Sequence, residues 1–208
     1  MSKRPAYHHG DLRNALLDAG EAELAESGLA GFSLRRVAAR VGVSHAAPAH
    51  HFGDIAGLID ALAVRGFARL LACMETRQQA APDDPSERLL ASGFGYLDFA
   101  MERPALFRLV FGTPMQEGAS EELQLAAARA HAHLAEAVAA LYRAAPPAEP
   151  WLATQVLRHW TQTHGFAELL LAGHVTLPGA PEEARSAREA LLRDLFHLDT
   201  PGPAPHRA

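Results

Sequence analysis

The sequence predicts an all-α protein of nine helices divided between an N-terminal and a C-terminal domain. Three observations carry this. Apolar residues recur at three- and four-residue spacing along most of the 208-residue chain, and no convincing strand alternation appears. Gly and Pro interrupt the pattern at intervals that suit helix lengths. One stretch, Ser33 to Phe52 (SLRRVAARVGVSHAAPAHHF), reads as a short helix, a Gly-Val-Ser turn and a second short helix.

The first helix is expected from about Asp11 to Ser27, with Leu12, Ala15, Leu16, Ala19 and Ala22 inward and Gly28 ending it. Ser33 caps the second helix, in which Leu34, Val37, Ala38 and Val41 share a face. Gly42 stands where a left-handed cap is wanted, and Ser44 begins the third helix. Pro48 would then occupy that helix's fourth position, where it cannot donate to the Ser44 carbonyl, so the helix starts later or its first turn is distorted. Asp54 caps a long fourth helix carrying Leu58, Ile59, Leu62, Ala63, Leu70, Leu71 and Met74. The Ala81-Pro-Asp-Asp-Pro-Ser86 break introduces a fifth, with Leu89, Leu90, Phe94, Leu97 and Met101. A short sixth spans Pro104 to Phe111, an Ala-rich seventh Glu121 to Ala144, an eighth Trp151 to Ala172 and a ninth Glu182 to Leu198. Pro146, Pro147 and Pro150 separate the seventh and eighth. The expected domains are 1–57 and 58–199, with a disordered tail over 200–208.

Charge gives the helix-turn-helix stretch its meaning. The net charge of −5 is at first sight wrong for a nucleic-acid binder. Residues 1–57, however, balance six Lys/Arg against six Asp/Glu, so the excess acid lies in the remainder. Between Leu29 and Gly53 there is no Asp or Glu, while Arg35, Arg36, Arg40, His45, His50 and His51 all occur. The acids of this segment gather instead at Asp18, Glu21, Glu23 and Glu26. A surface free of acid suits DNA, which carries one negative charge per ~1.7 Å of axis.

Other classes find little support. No apolar run approaches the ~18 residues of a membrane span, and the N-terminus lacks the apolar core of a secretory signal. A cytoplasmic location is expected. Cys73 is the single cysteine, and the His pairs lack partners at ligand spacing, so neither a metal nor any other cofactor is expected. No phosphate loop, nucleophile elbow or paired carboxylates indicate an enzyme, so no catalytic residue is assigned.

The chain resembles the tetracycline-repressor-like (TetR) transcriptional regulators from about Asp11 to Phe67. The residues that carry this are Glu26-Ser-Gly28, Phe32-Ser-Leu-Arg-Arg-Val-Ala38, Val41-Gly-Val-Ser44, His51-Phe52 and Leu58. Further on, Trp160-Thr-Gln-Thr-His164-Gly165-Phe-Ala-Glu-Leu169 is similar to a subgroup with a Trp-His-Gly signature. So is Tyr96-Leu-Asp-Phe-Ala100-Met-Glu-Arg-Pro104 with Phe107 and Phe111. The resemblance implies a homodimer that binds an operator in double-stranded DNA. It also implies a repressor released when a small-molecule effector occupies the C-terminal domain. Two positions depart from the family pattern: Ala49 replaces a common Tyr, and Ile55 a common Lys, both phosphate-contacting types. They motivate the alternative of a helical small-molecule-binding protein with weakened or lost DNA binding.

Within this reading, the third helix lies in the major groove. His45 and Ala46 face base edges, and Ala46 or Ala47 meets a thymine methyl. Ser33, Arg35, Arg36, Ser44, His50 and His51 contact phosphate, with a structural place beneath the fourth helix as the other option for His51. Lys3 and Arg4 could form a minor-groove arm or a solvated terminus. An effector pocket between the fifth, seventh and eighth helices would be lined by Phe94, Leu97, Met101, Phe107, His131, Tyr142 and His164. For each of these, core packing is the first reading and ligand contact the second. On the eighth helix Val156, Leu157, Trp160, His164, Ala167 and Leu171 are expected to form an interior face, with Gly165 bare where another helix approaches. Leu191, Leu192, Leu195 and Phe196 supply the matching stripe on the ninth. The resemblance implies that Val156, Trp160, Gly165, Leu171, Leu192, Leu195 and Phe196 serve the dimer interface, with an intrachain core as the other reading.

Overall fold

A computed structural model of the chain describes residues 9–112, 119–143 and 149–196. Among the described residues there are nine α-helices and no strand. They are α1 (His9–Ser27), α2 (Leu34–Val41), α3 (Ala47–Phe52), α4 (Ile55–Ala80), α5 (Pro85–Glu102), α6 (Pro104–Gly112), α7 (Glu121–Leu141), α8 (Glu149–Leu171) and α9 (Pro181–Phe196). The Lys3–Arg4 arm and the tail over 200–208 lie outside the described residues, as do Pro146 and Pro147.

The chain forms two compact units. The first takes residues 1–67 and 103–127, the second 68–102 and 128–208. This differs from a linear split at 57/58, because α6 returns to pack on α1. Leu106 and Phe107 of α6 are fully buried, and Phe107 lies 5.1 Å from the Phe111 ring. Gly66 permits this packing, since a Cβ there would come within 2.7 Å of Val110. Arg65 to Asp18 (2.6 Å) and Arg103 to Glu21 (2.7 Å) tie the same unit at its surface.

In the first unit Leu16, Leu17 and Leu24 of α1 bury with Phe32, Val37, Ala38, Leu58 and Leu62. Each such large side chain stabilises by about 1.5–3 kcal/mol relative to exposure. The inward face of α1 is turned slightly from the expected one. Ala22 is exposed, and the carboxylate of Glu23 is enclosed instead.

The second unit is organised on α5, which packs against α8 and α9 and is buried almost throughout from Leu89 to Ala100. Its one enclosed acid, Asp98, receives Arg77 Nε of α4 at 2.7 Å. From α9 it receives Arg185 and Arg188 at 2.9 and 2.8 Å. Three guanidiniums around one carboxylate replace the water it loses. The last carbonyls of α9 are also satisfied from a neighbour: Arg158 donates to Phe196 O at 3.1 Å and Gln162 to Leu195 O at 2.8 Å.

Candidate nucleic-acid interface

Local chemistry shapes the α2–turn–α3 element. Gly42 is left-handed (φ 74°), and the N–H groups of Gly42 and Val43 return to the carbonyls of Ala39 and Ala38, closing α2 as expected. Ser33 stands at the N-cap position of α2, but its hydroxyl makes no capping bond. The third helix begins at Ala47 rather than Ser44. Ser44 O instead accepts the Ala47 N–H at 3.0 Å in a tight turn. This places Pro48 in the first turn of α3, where a missing N–H costs nothing. Asp54 caps α4 through Gly57 N–H at 2.9 Å, as its position predicts. Gly57 must stay bare, since a Cβ there would overlap the carbonyl oxygen of Phe52 and force α3 and α4 apart.

Arg35, Ser44, His45, Ala46, Ala49, His50 and Ile55 are exposed, while Ser33, Ala47 and His51 are half-buried. The His51 ring lies 5.5 Å from His50 and 6.2 Å from Phe52, so it sits between an exposed ring and a part-buried one. The turn and α3 therefore present small and imidazole side chains close to backbone, a surface that can approach base edges and donate to phosphate.

Arg36 takes a different role from the phosphate contact expected of it. Its Nε donates to the fully buried Glu23 of α1, and its Nη2 to Ser27 Oγ (3.0 Å) and the Gly31 carbonyl. Arg40 is drawn inward as well, to Glu23 Oε2 (3.2 Å) and to Glu26. Burial pushes the Glu23 carboxyl up, but hydrogen bonds from Arg36, Arg40 and Ser27 outweigh it and hold the group below the usual carboxylate range. Of the acids that looked separate in sequence, Glu23 and Glu26 thus pair with two of the three arginines of α2. Arg35→Ala is expected to reduce the salt slope of DNA binding by ~0.9, the value of one lost phosphate contact. Arg36→Ala should leave that slope unchanged and lower the melting temperature instead. Titration of a labelled duplex over a salt series, beside thermal unfolding, measures both.

The second unit holds most of the other expected site residues. Tyr96 of α5, which sequence reasoning missed, is buried and shares a 2.8 Å hydrogen bond between its hydroxyl and His164 Nδ1. The Trp160 indole also hydrogen-bonds this hydroxyl, and burial raises the phenol well above its ordinary range. His131 of α7 stands edge-on to Trp160 at 6.3 Å, and Tyr142 edge-on to Trp151 at 4.8 Å. Burial lowers His164, only partly offset by Glu168 3.9 Å away. Phe94 and Met101 are half-buried and Leu97 is fully enclosed. Phe107 is fully buried and belongs to the first unit.

The residues expected at a dimer interface also divide. Val156, Leu192 and Phe196 are buried within the protomer and serve its own core. The interior of α8 is instead Gln155, Val156, His159, Thr163, Phe166 and Ala167, and burial pushes His159 down to about 4. Leu157, expected inside, is 58% exposed, and Leu169, Leu191, Leu195 and Trp160 are exposed too. Leu171 is half-buried. Among the described residues nothing lies within 4 Å of where a Gly165 Cβ would stand, so a side chain there would enter open space. Among the described residues no group of three or more His, Cys, Asp or Glu could hold a metal ion, and no helix is long and apolar enough to cross a membrane.

Comparison with known proteins follows the same two-part organisation. Residues 16–62 match the family described as "Bacterial regulatory proteins, tetR family", and residues 89–195 match "Tetracyclin repressor-like, C-terminal domain". The HTH-type transcriptional regulator BetI of Burkholderia ambifaria (strain MC40-6) is 38% identical over 79 residues, which is 38% of this chain and 41% of that protein. A solved structure of a protein of unknown function from Rhodococcus sp. RHA1 is 33% identical, with a TM-score of 0.75 over 92% of this chain and 98% of that one. The TetR family transcriptional regulator PfmR from Thermus thermophilus shares the fold, with a TM-score of 0.64 at 17% identity over 95% of this chain and all of that one.

Proposed function

This chain belongs to the tetR family of bacterial regulatory proteins, and from that premise we propose that it is a homodimeric repressor released from its operator by a small molecule. It is a DNA-binding transcriptional regulator rather than an enzyme. The observation that carries the reading is the exposed, acid-free surface of the turn and α3. His45 and Ala46 stand at its tip, with Arg35, Ser44 and His50 exposed around them. His45 and Ala46 read base edges; Arg35, His50 and the Ser33 and Ser44 hydroxyls fix the register on phosphate. Acting on chromosomal DNA, the protein works in the cytoplasm.

Dimerisation uses the outer faces of α8 and α9. Leu157 and Leu169 on α8, with Leu191 and Leu195 on α9, expose more apolar side chain than an isolated helix pair in water favours. The bare Gly165 lets a second backbone come close. Two copies then present two α3 helices to two half-sites. The effector is taken by the group of Tyr96, His131, Trp160 and His164, which offers aromatic faces beside hydrogen-bonding atoms.

Selecting bound sequences from random duplexes tests the reading. The expected result is an enriched palindromic site bound with a steep negative dependence of log K on log salt. Enrichment of no sequence would favour the second reading, which exposed Ala49 and Ile55 support: a ligand-binding protein that has lost its hold on DNA.

A further inference from the structure

We infer that Arg13 of α1 is a phosphate-contacting residue of this chain, supplying beside the end of α3 the cation that Ala49 and Ile55 do not. The inference rests on the reading of α3 as the DNA-facing helix. Phe52 is the last residue of α3, and the guanidinium carbon of Arg13 stands over its ring, 5.2 Å from the centroid. Rings continue from Phe52 to His51 and from His51 to the exposed His50. A row of contacts therefore runs from the DNA-facing side of α3 to an arginine of α1. Arg13 is itself exposed.

Charge accounting points the same way. Arg36 and Arg40 are committed to Glu23 and Glu26, Arg65 to Asp18 and Arg103 to Glu21. Among the described residues, Arg13 and Arg35 are the arginines of α1 and α2 without a carboxylate partner. A guanidinium over an aromatic ring is attracted by the ring face and does not spend its N–H groups on it, so those donors stay available. They form the fork that bonds phosphate oxygens in pairs. The contact with Phe52 restricts the side chain near the end of α3, so part of its ordering cost is met before binding.

The test uses the full chain and a mixed-sequence DNA duplex over a salt series. Arg13→Gln is expected to reduce the slope of log K against log salt by ~0.9, which makes the affinity loss between 50 and 200 mM salt roughly threefold smaller than for the unaltered protein. Arg13→Met, which keeps the stem on Phe52 without the charge, should behave the same way, and Arg13→Lys should keep the original slope. An unchanged slope in both uncharged variants, with only a lowered melting temperature, overturns the inference and leaves Arg13 a packing residue. If the unaltered protein shows no salt-dependent binding, the reading of α3 fails first and the inference falls with it.

Discussion

Replacing Leu157 and Leu195 together by glutamate is expected to give a folded monomer that has lost most of its operator affinity. Both side chains are already exposed in the protomer, so each substitution costs within about 0.5 kcal/mol of folding stability. At a two-fold interface each change appears twice, and carboxylates would meet an apolar partner face without counter-charges. Joining two α3 helices in one dimer raises affinity by about 10²–10⁴-fold over a single copy, because the second contact becomes intramolecular. That factor is the expected loss. Sedimentation velocity reads the mass, circular dichroism the fold, and a gel shift the affinity. A variant that stays dimeric and binds as before would show that α8 and α9 do not form the interface.

Gly95→Ala should produce the largest loss of stability in the second unit. The added Cβ would come within 2.6 Å of the Cys73 carbonyl carbon and of Met74 Cα. Those are backbone atoms of α4, and no rotamer change can move them. The expected cost is about 3 kcal/mol. For a chain of this size it corresponds to a melting temperature about 10 °C lower. Gly93→Ala is a useful contrast, since its Cβ would meet Leu192 Cδ2 at 2.9 Å, the far end of a flexible side chain. It should cost less. Equal melting curves for the Gly95 variant and the unaltered protein would mean that the α4–α5 contact yields without penalty.

Where chemistry is local, the sequence was a sound guide. Gly42 announced a left-handed cap and Asp54 an N-cap, and both residues do what their types suggest. Pro48 signalled that α3 could not start cleanly at Ser44, and the helix begins three residues later. The fate of Arg36 was hidden. Its partner Glu23 lies 13 residues away on another helix, and linear charge counting assigned the two to separate surfaces. Only the crossing of α1 and α2 brings them together. Arg13 was hidden for the same reason, since Phe52 follows it at long range on another helix.

The α8 faces show a second kind of limit. Leu and aromatic residues occur all round this helix, so periodicity alone offered no unique inward side. The true interior includes Gln155, His159 and Thr163, polar residues a hydrophobic pattern passes over. Tyr96 was missed in the same way, because an apolar helix buried almost all round gives no reason to single out one phenol.

The sequence by itself determined the all-α class, the caps at Gly42 and Asp54 and the helix-turn-helix element, because caps, turns and helical periodicity depend on residues within about four positions of one another. Tertiary structure alone decided which arginines of α2 are tied to carboxylates and which apolar residues of α8 and α9 stay exposed. Those choices depend on which helix covers which, and an ion pair or a buried face exists only once two distant segments meet.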